Sequence, residues 1–305
     1  MKMQLEEFAN AVLAAVREKA DGTFSVWLTT NIKNNGVKVL GISTVSPESN
    51  GGPCVNLNSY YKEYRNGRLE SGKAAEIVYR QLMEHRDDLQ DINTADFLQW
   101  DVIKNHIYAK LVNAEMNREA LKIIPHRHLL DLAVAYYIIV DGNAEVGGML
   151  SILIQNNYME MWRQDEESLY QMAVSNMRSD GEPHFMDMET LLCGIMPDGI
   201  NLFECEEAAG VKMYVLTNRK RTFGAAELLD ADTLRGISEK LADDFIVLPS
   251  SVHETLIIPS DNAPEYTELA DMVCEVNATQ VDAEDRLSDH VYRYDRNEGI
   301  LKIAA

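Results

Sequence analysis

The sequence predicts an α+β or mixed α/β fold, with mixed sheets flanked by helices. Short apolar runs rich in β-formers recur along the chain, and segments with helical periodicity separate them. Hydrophobic residues make up 46% of the chain and charged residues 25%, which is ordinary for a globular protein and argues against disorder. Because 305 residues suffice for one large domain or two ordinary ones, two tightly linked subdomains are an alternative.

Residues 1–124 are predicted to form an N-terminal α/β block. Asn34-Asn35-Gly36 stands between two β-patterned runs, and Asn-Gly in that position is a strong signal for a β-hairpin. The predicted elements are a helix at the N-terminus (1–20), strands over 24–30, 37–45 and 54–57, a helix over 71–86, a strand over 106–112 and a short helix over 117–123.

Residues 125–305 are predicted to form a second α/β block with an acidic surface. The predicted elements are strands over 132–140, 149–155, 213–217, 245–248, 255–258, 291–294 and 300–303, and helices from 156, over 166–177, over 233–241 and over 263–276. Residues 179–210 are polar, acidic and punctuated by Gly and Pro, so they are predicted to be a flexible insertion or a lid.

The stretch Met213–Pro259 predicts a candidate site. If strands 213–217 and 245–248 are joined by a crossover, they run parallel and end at the same edge of a sheet. The loops that leave those ends then lie close together, and ligands of open α/β sheets bind at such edges. The alternative is a hairpin in which residues 222–228 return as an antiparallel strand, and that path would separate the two loops.

The two loops carry residues suited to an anion or to a protein partner. Basic side chains follow the first strand, and a helix that opens near Gly224 would direct unpaired N–H groups at the same edge. The other interpretation is a solvated turn that offsets the surrounding acid. The candidate binding residues are Asn218, Arg219, Lys220, Arg221, Gly224, Ser250, Ser251 and His253.

Catalytic and metal sites are not assigned. Ser251 and His253 with Glu254 are the residue types of an acyl-transfer site, but Glu254 would point to the other face of a strand and no nucleophile elbow is present. His126 and His128 near Asp131 have the right types for a metal, yet no second ligand cluster is close in sequence. No cofactor motif occurs, so the sequence favours a protein without cofactor and without enzymatic activity.

Charge is the most unusual property of the chain. The formal net charge is −21, and residues 153–305 hold 12 Lys and Arg against 30 Asp and Glu. Such a surface disfavours direct binding to nucleic acid or membrane and can attract a basic protein partner. The leading prediction is therefore a protein-interaction or regulatory module; a sharper form is a nucleic-acid mimic that occupies a DNA- or RNA-binding protein. The other interpretation is that acidity only keeps the protein soluble.

A cytoplasmic location is predicted from the N-terminus. Glu6 and Glu7 stand where a signal peptide needs its apolar core, and no apolar run approaches the roughly 20 residues that span a bilayer. The four cysteines include no close pair of the kind that metal sites use.

Several segments resemble a family of uncharacterised bacterial proteins, the domain of unknown function 5688. The resemblance extends over nearly the whole chain, and its layout is also distantly similar to YtpQ-type proteins. Neither resemblance implies catalytic residues, so the chemistry of the residues remains the argument for function. The segments that carry the resemblance are KNNGVKVLGI (33–42), DLAVAYY (131–137), NNYMEMW (156–162), MYVLTNRKRTFGAAELL (213–229), FIVLPSSVHE (245–254) and VNATQVDAEDRLSDHVYRYDR (276–296).

Overall fold

A computed structural model describes residues 2–22, 24–45, 52–85, 96–140, 150–188, 190, 211–249, 251–261 and 263–305. The chain divides into two compact units. The first comprises Met1–Asp96 with Val140–Leu150, and the second comprises Phe97–Ile139 with Ser151–Ala305. The sequence placed the boundary after residue 124, but strand Ile107–Asn113 pairs along its whole length with Leu132–Val140 and so joins the second unit.

The first unit is a three-stranded antiparallel sheet with helices. Its elements are α1 (Leu5–Ala20), β1 (Val26–Ile32), β2 (Lys38–Thr44), β3 (Cys54–Asn56), α2 (Asn58–Arg65) and α3 (Ser71–Glu84). β1 and β2 pair from Val26↔Thr44 to Ile32↔Lys38, which confirms the predicted hairpin. Phe8 and Val12, one helical turn apart on α1, are fully buried in the core with Val78 and Leu82 of α3.

The second unit begins with a four-stranded sheet. Its elements are α4 (Trp100–Ile103), β4 (Ile107–Asn113), α5 (Arg118–Leu121), β5 (His126–Leu129), β6 (Leu132–Val140), β7 (Leu150–Leu153), α6 (Asn156–Trp162) and α7 (Glu166–Ser179). β6 is central and pairs with the other three strands. Its first seven residues are buried, which explains why the run LAVAYYI is continuously apolar instead of alternating.

A six-stranded sheet completes the second unit. Its elements are β8 (His184–Asp187), β9 (Tyr214–Thr217), a 3₁₀ helix (Gly224–Leu229), α8 (Ala231–Leu241), β10 (Phe245–Leu248), β11 (Thr255–Pro259), α9 (Tyr266–Thr279), β12 (Tyr292–Asp295) and β13 (Ile300–Ile303). The strand order is β13-β12-β10-β11-β9-β8. The three sheets that the described residues form are antiparallel, so the fold is α+β.

The connection from β9 to β10 decides where the candidate loops lie. Both strands pair antiparallel with β11, so they run in the same direction and end at the same edge of the sheet, as the predicted crossover requires. They are not neighbours, however, because β11 lies between them. The alternative hairpin is wrong, since the residues after the basic turn form the 3₁₀ helix Gly224–Leu229 instead of a returning strand.

The six-stranded sheet is covered on both faces, and β10 shows how the sequence achieves this. All four of its residues are buried. Phe245 and Val247 point into the large core shared with the four-stranded sheet, whereas Ile246 and Leu248 pack in a second core with Leu269 and Val273 of α9. Because successive side chains of a strand point to opposite faces of the sheet, this one strand contributes to both cores.

The segment 179–210, expected as an insertion or lid, is structured in part. His184–Asp187 is strand β8, which pairs with β9 at the edge of the six-stranded sheet. Residue 189 and residues 191–210 lie outside the described residues, so the lid stays a prediction. In the part of the chain that the structure describes, no helix is long and apolar enough to cross a bilayer.

Candidate functional site

The loops after β9 and β10 meet at one corner of the six-stranded sheet. The Thr217 hydroxyl donates to the carbonyl of His253 at 2.7 Å, and the amide of Phe223 donates to His253 Nδ1 at 3.2 Å. A backbone hydrogen bond from Ala225 N to Val252 O adds a third link. The corner therefore brings together residues some 30 positions apart, as the sequence predicted; Ser250 lies outside the described residues.

Gly224 lies close to the backbone of both loops. A Cβ atom there would lie 2.5 Å from the His253 carbonyl oxygen and 2.6 Å from the Asn218 nitrogen, and it would also clash with Thr217 Oγ1. Real Cβ atoms do not come so near to backbone atoms, so this position needs glycine because of space.

The basic turn is held by its own side chains. Asn218 Nδ2 donates to the carbonyl of Thr222 at 2.7 Å, and its Oδ1 accepts from the Thr222 amide at 3.2 Å. Lys220 Nζ lies 2.9 Å from Asp180 Oδ2. Arg219 and Arg221 are exposed.

Three amides at the start of the 3₁₀ helix are already hydrogen-bonded within the protein. Phe223 donates to His253 Nδ1, Ala225 to Val252 O and Ala226 to the Phe223 carbonyl. The anion site stays a prediction, and since these three amides are occupied it depends mainly on the side chains of Arg219 and Arg221.

The serine and histidine of the corner do not have the geometry of an acyl-transfer triad. Ser251 is buried, and its Oγ accepts from the backbone amide of His253 at 3.0 Å. His253 Nδ1 accepts from Phe223, so the hydrogen-bond network assigns the ring proton to Nε2, which lies 3.3 Å from Asp285 Oδ1. Both ring nitrogens are engaged, so neither accepts a proton from Ser251 in this arrangement.

Phe223 and Asp285 complete the corner, and the sequence did not single them out. The Phe223 ring stacks on His253 with centroids 5.6 Å apart and meets Tyr137 edge-on at 5.1 Å. Lys110 Nζ lies 4.8 Å from the same ring centroid. These aromatic contacts fix the imidazole in place, and they give the corner a packing role.

The histidine pair does not form a metal centre with Asp131. His126 and His128 meet edge to face at 5.6 Å, as alternate residues of β5. Asp131 instead accepts hydrogen bonds from Ser288 Oγ and Tyr292 OH, each at 2.6 Å. Among the described residues, no group of three or more His, Cys, Asp or Glu side chains could hold a metal ion.

Helix α9 presents a negatively charged outer face. Glu268, Asp271 and Glu275 are exposed and spaced three and four residues apart, so they follow one another along the helix surface. Met272 lies among them with 41% of its surface exposed. The helix contains no Lys or Arg, and none of the three carboxylates forms an ion pair among the described residues.

A buried acid forms a second feature that sequence reasoning missed. Glu227 of the 3₁₀ helix is only 7% exposed and lines a cleft of about 520 Å³ beside α8. Burial, reinforced by the charges of Asp230 and Asp180, raises its pKa to about 7. The signal in the sequence was a single carboxylate within the small and apolar run GAAELL, which is unusual for a surface turn.

The protein has an α+β fold, and its most notable side chains are carboxylates: the exposed row on α9 and the buried Glu227. The chain belongs to a family of unknown function, DUF5688, whose profile matches residues 5–296. This confirms the resemblance inferred from the sequence, while the likeness to YtpQ-type proteins stays a prediction. No curated protein and no solved structure matches the chain.

Proposed function

We propose that the protein is a protein-interaction module and that the outer face of α9 contacts a basic partner. The supporting observation is the row of exposed carboxylates Glu268, Asp271 and Glu275, which form no ion pair with a described residue, around the exposed Met272. A basic side chain of the partner would pair with these carboxylates, and an apolar one would cover Met272. Interfaces commonly combine a methionine contact with a charged rim.

The helix itself loses stability by keeping this pattern. Glu268 and Asp271 are like charges at spacing three, and Asp271 and Glu275 are like charges at spacing four. Each such pair destabilises a helix by roughly 0.2–0.5 kcal/mol. A bound cationic surface would remove that repulsion, and electrostatic attraction would speed its association.

The test is a pull-down from native extract with two variants of equal charge change. Glu268→Lys/Asp271→Lys/Glu275→Lys reverses the α9 face, and the control Glu18→Lys/Glu160→Lys/Glu239→Lys reverses three exposed carboxylates on other helices. We expect a basic protein that the wild type and the control retain and that the α9 variant loses. Equal retention by both variants would show that α9 is not the contact surface.

The sharper form of the proposal is that α9 imitates nucleic acid. In that case duplex DNA or RNA should displace the retained partner from the wild-type protein. A partner that binds α9 but is not displaced by either nucleic acid would support the interaction module and contradict nucleic-acid mimicry.

A further inference from the structure

The cleft that Glu227 lines has a composition suited to a ligand. It lies between the end of α7, the start of β8 and α8. Met177, Phe185 and Ile237 give it apolar walls, and Glu227 supplies a carboxyl group. Small-molecule sites typically combine such apolar walls with a few polar groups, and this volume lies within their usual range of roughly 300–1,000 Å³.

Glu227 differs from Asp230, the other buried carboxylate that lines the cleft. Its carboxyl has no hydrogen bond or ion pair with any described residue, although the residue is only 7% exposed. The two cations that line the cleft contact other groups. Arg178 Nη2 lies 2.5 Å from Asp230 Oδ1 and 2.8 Å from Asp232 Oδ2, and Lys240 Nζ lies 5.1 Å from the centroid of the Phe185 ring.

An unpaired buried carboxyl is costly to the fold. Its charged form loses part of its hydration without receiving a hydrogen bond from a described residue, which disfavours that form. Perturbed, unsatisfied acids of this kind cluster at functional sites. A ligand that donates to the carboxylate would supply the missing partner.

The charges of the cleft select the sign of that ligand. Among the described residues that line the cleft, the acids Asp230, Asp232 and Glu182 outnumber the two cations, Arg178 and Lys240. The balance is negative even before Glu227 is counted, so an anion is disfavoured and a cation is favoured. The apolar walls favour a cation that carries hydrocarbon over a bare metal ion.

We propose that this cleft binds a small organic cation, a primary alkylammonium ion, whose nitrogen pairs with Glu227 and whose chain packs on Met177, Phe185 and Ile237. The ammonium group carries three N–H donors, which suits a carboxylate that receives no hydrogen bond from the described residues. For a ligand of few atoms, roughly millimolar affinity is expected.

Binding should strengthen as Glu227 ionises. Its pKa of about 7 means that the carboxylate fraction rises from about one tenth at pH 6 to about nine tenths at pH 8. An alkylamine stays protonated throughout this range. The affinity should therefore increase about ninefold. The other charged or titratable groups near the cleft are Arg178, Asp180 and Glu182 beside α7, His184 on β8, and Asp230, Asp232 and Lys240 around α8.

The experiment is a calorimetric titration of the full chain with n-butylamine and with the neutral 1-butanol. At pH 8 the wild type should bind the amine at least tenfold more tightly than the alcohol. Glu227→Gln keeps the size of the side chain and removes its charge. The variant should therefore bind the amine and the alcohol equally, and its amine affinity should not change with pH. Because His184 is unchanged in this variant, a loss of the pH dependence would also exclude His184 as its source. Equal binding of both probes, or amine binding that survives Glu227→Gln, would overturn the proposal.

A second variant keeps the test decisive if Glu227→Gln does not fold. Gly236 lines the cleft on α8, and an added Cβ would meet nothing within 4 Å, so Gly236→Leu places an apolar side chain in the cleft at a position with room for it. Gly72→Leu, at an equally open position of α3, is the matched control. Amine binding should fall at least tenfold in Gly236→Leu only, and unchanged binding there would contradict the assignment. None of these substitutions alters α9.

Discussion

Gly224 and Gly236 belong to the same fold and should respond oppositely to the same substitution. At Gly224 a methyl group would press against the backbone of Asn218 and His253, so Gly224→Ala should lower the free energy of unfolding by about 2–3 kcal/mol. At Gly236, inside α8 with open space around it, alanine should raise it by up to about 1 kcal/mol. Thermal melts of both variants measure the difference.

The contrast separates crowding from helix propensity. Each variant adds one methyl group, so any general effect of alanine on the unfolded chain is common to both. A Gly224→Ala protein as stable as the wild type would mean that the two loops at the corner separate without cost, and the contacts between Phe223 and His253 would then contribute little to stability.

Glu227 should make the stability of the protein depend on pH in an unusual direction. Below about pH 4.5, its ordinary pKa, the carboxyl is protonated both folded and unfolded and has no effect. Between pH 4.5 and 7 only the unfolded chain releases the proton, so the free energy of unfolding falls as pH rises. The loss is complete above about pH 7 and amounts to at most about 3 kcal/mol.

Urea denaturation at pH 5 and pH 8 checks this sign. Relative to the wild type, Glu227→Gln should be more stable at pH 8 than it is at pH 5, because glutamine cannot ionise. The comparison between the two proteins cancels the contributions of the other carboxylates near it, including Asp180 and Asp230. If the difference between the variant and the wild type is the same at both pH values, Glu227 does not titrate in this range.

At the level of single elements, the start of α8 depends on one buried carboxylate. Asp230 accepts from the amide of Asp232 at 3.2 Å and from the Thr233 hydroxyl at 2.9 Å, and it also pairs with Arg178. Burial alone would raise the pKa of Asp230, but the hydrogen bonds from Arg178, Thr233 and Asp232 outweigh it and hold the pKa below its usual value.

Asp230→Ala should therefore destabilise the protein by about 2–4 kcal/mol, since it removes a helix cap and leaves Arg178 with one partner fewer. Asp165→Ala is the control, because Asp165 caps α7 through the amide of Ser168 at 2.9 Å without a buried ion pair. The control should cost only about 1 kcal/mol in the same denaturation experiment. Equal losses would mean that Arg178 adds nothing to the cap.

The elements that sequence reasoning located best are those whose apolar pattern and boundaries agree. β10 was predicted over its observed span because four apolar residues lie between Asp244 and Pro249, and β13 was predicted over its span because Gly299 bounds it. The placement of β11 between β9 and β10 was not predictable in this way. Strand runs of similar composition do not specify their neighbours, which depend on cross-strand packing between distant residues.

In the candidate site, too, some features could be predicted from local sequence pattern and others could not. The meeting of the two loops followed from the direction of β9 and β10, which local pattern and a crossover imply. Two features of the site could not be inferred from local pattern. The Ala225 amide is occupied by a hydrogen bond to the carbonyl of Val252, and one of the charges that raise the pKa of Glu227 comes from Asp180, so both depend on residues far along the chain. Short-range pattern reports which residues form an element, and long-range packing decides which of their polar groups remain available.

For the molecule as a whole, net charge is the property most open to experiment. With −21 charges on 305 residues, carboxylates repel one another across the surface, and salt screens that repulsion over a Debye length that falls from about 30 Å at 0.01 M to about 3 Å at 1 M. We expect the melting temperature to rise with NaCl over this range, because compaction brings like charges together and screening weakens their repulsion.

The variant Glu268→Gln/Asp271→Asn/Glu275→Gln tests whether α9 contributes a large share of that effect. It removes three negative charges without adding positive ones, so its melting temperature at low salt should exceed that of the wild type, and its rise with NaCl should be smaller. Equal salt responses would show that the repulsion is spread over other carboxylates. A melting temperature that falls with salt would show instead that attractive ion pairs, such as Lys220 with Asp180, outweigh the repulsion between carboxylates.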